Sequence, residues 1–154
     1  MKYENSLLRK PAGEIAVAGG YPTIMLFGFV LTKRPALDER SLRHEEIHAV
    51  QWRECFYAGG VAMLLLLWGG GFSWWLVLLP LLLYYVWYVT EWMVRFAGCF
   101  FNRGKKDVAR AGHEAYRNVV MEREAYAREG DKDYPERRGW FAFLRYYRGV
   151  SENM

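Results

Sequence analysis

The chain has 154 residues, a net charge of +4, and hydrophobic and aromatic shares of 53% and 18%, well above ordinary soluble usage. The excess is local, because residues 55–90 contain no Asp, Glu, Lys or Arg and the two flanks hold every charged residue. That distribution describes a membrane protein with water-facing ends, and the lack of a basic run interleaved with aromatics argues against nucleic-acid binding.

The N-terminus opens with a positive charge and an apolar stretch, but Glu4, Glu14 and the "GGYP" break interrupt the pattern of a cleaved signal, and none is expected. Within a region 1–40, the runs 14–19 and 23–32 are parted by Gly-Tyr-Pro and read as the two strands of a small hairpin. A third membrane span over 15–31 is the alternative, weakened by Gly19, Gly20 and Pro22 in its middle.

From Ser41, a good N-cap with Glu45 and Glu46 behind it, a helix is expected over 41–54 that runs unbroken into the apolar block. That block is too long for one span of about 20 residues, and Gly69, Gly70 and Gly71 divide it. The expectation is a two-helix transmembrane hairpin over 55–101, turned at 69–71, with Pro80 kinking the second arm. Trp68, Trp74 and Trp75 would form an aromatic belt on the far side. An even number of spans returns both flanks to one side. Arg40, Arg43 and Arg53 on one flank, with Arg95, Arg103, Lys105 and Lys106 on the other, make that side cytoplasmic. The localisation expected is thus the cell inner membrane, multi-pass, with membrane lipids as partners. Cys55 and Cys99 then lie at similar depth and read as buried free thiols.

The region 102–130 is expected to carry a second soluble helix over 112–128, stopped by Gly130 and Pro135. The tail 131–154 sets Trp140, Phe141, Phe143 and Leu144 among Arg137, Arg138, Arg145 and Arg148, which suits an amphipathic interfacial helix.

Chemistry concentrates in "RHEEIH". On a helix, His44 and His48 project from one face and can share a Zn2+ ion, with Glu45 directed beside it as a general base. The competing reading is a charged surface helix with solvated histidines and i,i+4 pairs to neighbouring arginines. A catalytic zinc needs a third protein ligand, and the downstream helix offers Glu122, Glu124, His113 and Glu114. Glu122 and Glu124 lie about 200° apart on a helix, so only one of them can face the metal. The histidines stand about 10 Å before the apolar boundary. Cleavage is therefore expected near the cytoplasmic membrane surface and not within a transmembrane helix. Tyr116, Arg117, His113 and Tyr134 are the available oxyanion donors.

His44-Glu45-x-x-His48 followed by Glu122-x-Glu124-Ala125-Tyr126 resembles the gluzincin branch of zinc metallopeptidases. The order "RHEEIHAVQ", apolar hairpin, "AYRNVVMEREAYA" is similar to small bacterial membrane proteins assigned to zinc metallopeptidases. The likeness covers roughly residues 40–145. It implies a zincin-like α+β soluble part, Zn2+ as cofactor, and a peptide or protein substrate lying along the 23–32 strand. It gives Glu122 the third-ligand role, with Glu124 as the alternative. Tyr126 stands where the family has an Asp that orients the first histidine. The leading expectation is thus a mainly α membrane protein that hydrolyses peptide bonds. The alternatives are a catalytically inactive metal-binding sensor or scaffold, and a structural membrane hairpin with coincidental histidines.

Overall fold

The computed structural model describes residues 23–32, 37–71, 73–102 and 107–148, and the expected strand at 14–19 lies outside them. The chain is mainly helical with one small sheet.

The sheet is tighter than expected, because the stretch read as a single strand, 23–32, folds on itself. Strand β1 (Thr23–Leu26) pairs antiparallel with β2 (Phe29–Thr32) in the register Thr23 to Thr32 and Leu26 to Phe29. The two turn residues, Phe27 at φ 50° and Gly28 at φ 80°, have the backbone of a two-residue hairpin turn. Phe27 tolerates it because the turn is docked: its N–H donates to Tyr85 Oη at 2.6 Å, and Gly28 abuts the Trp52 ring. The alternative of a span over 15–31 is thereby excluded for the part described.

Helix α1 (Glu39–Trp68) runs without a break from charge into grease, but its cap is Asp38 and not Ser41. The Asp38 carboxylate accepts from Ser41 N at 3.2 Å and from Ser41 Oγ at 2.6 Å, so Ser41 serves the cap from inside the first turn. After the Gly69 to Gly71 turn, a short 3-10 helix (Trp74–Val77) leads into α2 (Leu78–Asn102). Pro80 falls in the first turn of α2, where its missing N–H breaks no helical bond. It sits against Gly59 of α1. A Cβ at Gly59 would come within 2.8 Å of Pro80 Cα, so the two backbones meet here with no room for a side chain.

Among the described residues one helix, Trp74–Phe101, is long and apolar enough to cross a membrane. The expected hairpin of two transmembrane spans is corrected accordingly. The uncharged arm of α1, residues 55–68, is about 21 Å long at 1.5 Å per residue, short of the roughly 30 Å hydrocarbon core. With a single such helix, the argument that set both charged flanks on the cytoplasmic side loses its premise.

The downstream helix is also broken. Helix α3 (Val108–Asn118) ends at Val119, whose ψ of 132° is extended, and α4 (Val120–Arg128) restarts beside it. The break is held by another element: Glu91 of α2 accepts from Val120 N at 3.0 Å, capping α4 from outside its own sequence. In the tail, α5 (Tyr134–Arg137) and a 3-10 helix (Ala142–Arg148) replace one amphipathic helix. Phe143, Val119, Val120, Met121, Cys55, Tyr84 and Tyr146 form the core where α1, α2, α4 and the tail meet. Cys55 and Cys99 are both free thiols, the first buried and the second partly so.

Candidate metal centre

One helical turn separates His44 from His48 on α1, and both rings are buried. The restart of α4 at Val120 brings Glu122, 3% exposed, between them. His44 Nε2 and His48 Nε2 are 3.1 Å apart, and each lies 3.3 Å from a Glu122 oxygen, His44 from Oε2 and His48 from Oε1. The three residues can each offer a ligand atom with all of those atoms within 4.8 Å of one another.

The outer nitrogens decide what this convergence means. His44 Nδ1 is 2.9 Å from Glu129 Oε2, a carboxylate, so that nitrogen carries the proton. His48 Nδ1 is 2.9 Å from Gln51 Oε1. The orientation of the Gln51 amide is set by its other end, where Nε2 donates to Met121 O at 3.1 Å and to Glu124 Oε2 at 3.0 Å, both pure acceptors. Gln51 therefore accepts from His48, and both imidazoles turn Nε2 toward each other and toward a carboxylate. Glu122 Oε2 is itself buried without a hydrogen bond. Such a cluster could hold a metal ion, or a proton shared between an imidazole and the carboxylate.

The electrostatics agree. Burial works to lower the His48 pKa, but the Glu122 carboxylate overrides it and lifts His48 to about 9. Burial works to raise Glu122, yet the two imidazoles hold it well below the usual carboxylate range. Without a metal, the pocket answers its surplus of acceptors by holding a proton. Glu45 differs: burial raises its pKa and Glu122 adds to the rise, while His48 and His44 act to lower it. It is thus poised closer to neutrality than an ordinary glutamate, as a general base requires.

A cleft of about 250 Å3 opens beside the cluster, lined by Glu45, His48, Glu122, Tyr84, Tyr88 and Tyr116 on the helices and by β1 along its edge. Tyr88 Oη donates to Glu122 Oε1 at 2.7 Å, and Tyr84 Oη is 3.3 Å from His48 Nδ1. Burial and the nearby Glu122 push the Tyr116 phenol upward, so it stays a proton donor.

The remaining predicted residues scatter. Glu124, the alternative ligand, points away from the cluster into a buried network: Arg138 reaches it through Nε at 2.5 Å and Nη2 at 3.1 Å, Tyr134 Oη donates at 2.8 Å, and Gln51 completes it. Tyr126 lies edge-on to the His44 ring, with centroids 4.7 Å apart, and the Arg117 guanidinium sits over the Tyr126 ring. His113 is exposed and stacks loosely on Tyr116, so neither His113 nor Arg117 lines the described cleft.

Four contributors escaped the sequence reading. Glu129 orients His44, Gln51 orients His48, and Tyr84 with Tyr88 reach in from the stretch read as lipid-embedded. Each had a signal: Glu129 stands two turns beyond Glu122 on one helix face, Gln51 lies three residues past His48, and Tyr84 and Tyr88 are four apart. Comparison with protein-family models, curated proteins and solved structures gives no match.

Proposed function

We propose that this protein is a zinc-dependent peptidase working at a membrane surface. The observation that carries the reading is the convergence of His44 Nε2, His48 Nε2 and the Glu122 carboxylate, with both Nδ1–H groups already engaged. Two histidines and a glutamate are the ligand set of hydrolytic zinc sites with an open position, and Glu45 is the next residue after the first histidine.

His44, His48 and Glu122 would hold the ion, which when bound supplies Lewis acidity at the inner end of the cleft. Glu45 takes a proton from the attacking water as its oxygen adds to the amide carbon, and delivers that proton to the nitrogen as the C–N bond breaks. Tyr116 lines the same cleft and, by turning its hydroxyl from Glu122, would offer a hydrogen bond to the carbonyl oxygen as charge builds on it. The β1 edge supplies a wall along which an extended peptide could lie. Exposed apolar residues on α1 and α2 support work at a membrane.

Zinc stoichiometry with peptide cleavage tests the reading. Wild type should bind about one zinc per chain. Glu45→Gln should keep the zinc and lose cleavage, whereas His44→Ala and Glu122→Ala should lose both. Zinc retained by Glu122→Ala sinks the ligand assignment. A wild type that binds zinc but cuts no peptide would favour a sensor or scaffold.

A further inference from the structure

His44 and His48 ride on one continuous helix, α1, and keep their spacing by helical geometry alone. Glu122 has no such support. It stands in the first turn of α4, which is nine residues long, too short to be stable by itself. Val119, at the N-cap of α4, has no side chain that could accept from the free N–H groups there. Both missing supports come from α2. Glu91 Oε1 accepts from Val120 N at 3.0 Å and so fixes where α4 begins. Three residues earlier on the same face, Tyr88 Oη donates to Glu122 Oε1 at 2.7 Å and fixes the turn of the carboxylate. Glu91 is braced in its own right: Arg95 Nε lies 2.7 Å from Oε1, and Tyr147 Oη donates to Oε2 at 2.7 Å. Tyr116 of α3 also reaches the Glu122 carboxylate with its hydroxyl. Glu122 Oε2, by contrast, is buried without a hydrogen bond, 3.3 Å from His44 Nε2.

We propose that α2 sets the metal affinity of the centre without contributing a ligand, with Tyr88 and Glu91 as positioning residues for Glu122. Glu91 places the start of α4, and Tyr88 turns the carboxylate so that Oε2 is the oxygen offered to an ion. The inference rests on the metal reading above and extends it from the three ligand residues to the helix packed behind them. Its physical basis is preorganisation. A carboxylate fixed before the ion arrives has little freedom left to lose, whereas one that loses its hydrogen-bond partner must be ordered by the ion itself. The two contacts differ in kind: Tyr88 acts on the side chain and Glu91 on the backbone two residues before it. Removing either should therefore weaken the site while leaving all three ligand residues in the chain.

The test reads metal binding and not cleavage. The full chain is titrated with zinc against a chromophoric chelator, and with cobalt in place of zinc for its visible absorption. Tyr88→Phe keeps the ring and removes the donor. It should bind zinc about 10- to 100-fold more weakly, still fill one site per chain at saturation, and shift the cobalt bands. Glu91→Ala should weaken zinc by a similar factor. Glu91→Gln, whose amide oxygen can still accept from Val120 N, should recover most of the affinity. A merely structural role for these residues predicts a different pattern: fewer chains competent to bind, each with wild-type affinity and the wild-type cobalt spectrum. That pattern overturns the proposal, and so does Tyr88→Phe with affinity and spectrum unchanged. Glu91→Gln as weak as Glu91→Ala removes Glu91 from it, because the charge and not the cap would then be what matters. A wild type that takes up neither zinc nor cobalt removes the metal reading itself and this inference with it. A wild type that binds, beside variants that bind equally well, removes the inference alone.

Discussion

Glu129 holds His44: its Oε2 lies 2.9 Å from the ring Nδ1, leaving Nε2 free to face the centre of the cluster. Glu129 is itself fixed, by Arg40 Nε on Oε1 at 2.7 Å and by Arg43 Nε on its carbonyl at 2.8 Å, so the imidazole is aimed by a braced carboxylate. Tyr126, at the position where the resembling family has an Asp, meets the same ring only by its edge. Glu129→Ala should therefore weaken zinc binding by about 10- to 100-fold, as expected for loss of a partner that orients a ligand. Tyr126→Phe should leave it nearly unchanged. Competition against a chromophoric chelator measures both, and the reverse order of effects would return the orienting role to the phenol.

How far the site could be read in advance follows from where its contacts come from. His44, Glu45 and His48 share one helical turn, so periodicity alone groups them, and the 200° offset of Glu122 from Glu124 already forbids both from facing one point. What could not be read depends on distant segments. The break at Val119 is capped by Glu91 from α2, and the tight turn at Phe27 and Gly28 is held by Tyr85 and Trp52. Tyr84 and Tyr88 sit in a charge-free stretch whose composition speaks of lipid, although their hydroxyls serve the cluster. Composition averages over both faces of α2, and only packing separates them.

Arg138 joins the tail to the centre. It is 1% exposed in its side chain and lies between Glu124 and Glu54, and Glu54 also accepts from Phe141 N at 3.0 Å, fixing Phe141 at φ 51°. Through Glu124 and Gln51 this guanidinium braces the His48 ring. Arg138→Met leaves two buried carboxylates unpaired and should cost about 3–5 kcal/mol, read by thermal unfolding. Arg138→Met combined with Glu54→Gln and Glu124→Gln should recover much of that loss. Equal destabilisation of the single and triple variants would mean that packing of the side chain, and not its charge, is what matters.

Two adjacent glycines in α1 should respond in opposite ways. At Gly59 a Cβ would meet the backbone of Leu79 and Pro80, at 2.8 Å from Pro80 Cα and 3.0 Å from Leu79 O, and neither can move without parting α1 from α2. Gly60 has nothing within 4 Å. Gly59→Ala should lower stability by about 1–3 kcal/mol through overpacking. Gly60→Ala should raise it by up to roughly 1 kcal/mol from helix propensity. Thermal melts of the two variants under one detergent or lipid condition decide it; matching melts would mean that α1 and α2 do not cross at Gly59.

Metal binding should be coupled to a proton held by His48. In the metal-free protein its pKa is lifted to about 9, above the ordinary value of 6.5, because Glu122 outweighs burial. A raised folded-state pKa stabilises the fold fully below pH 6.5, and that contribution is lost as pH climbs through about 9. Glu122, held low by the imidazoles, adds stability that is present above its ordinary value of 4.5 and lost only in strong acid. Between these limits the metal-free fold keeps the charged pair, and an incoming cation must displace the proton. Titration calorimetry at pH 7 in buffers of different ionisation enthalpy should therefore report release of about one proton per zinc, falling toward none above pH 9. Zinc should accordingly raise the melting temperature more at pH 9 than at pH 6. Proton release near zero at pH 7 would mean that His48 is neutral in the metal-free protein, and that Glu122 does not hold its charge.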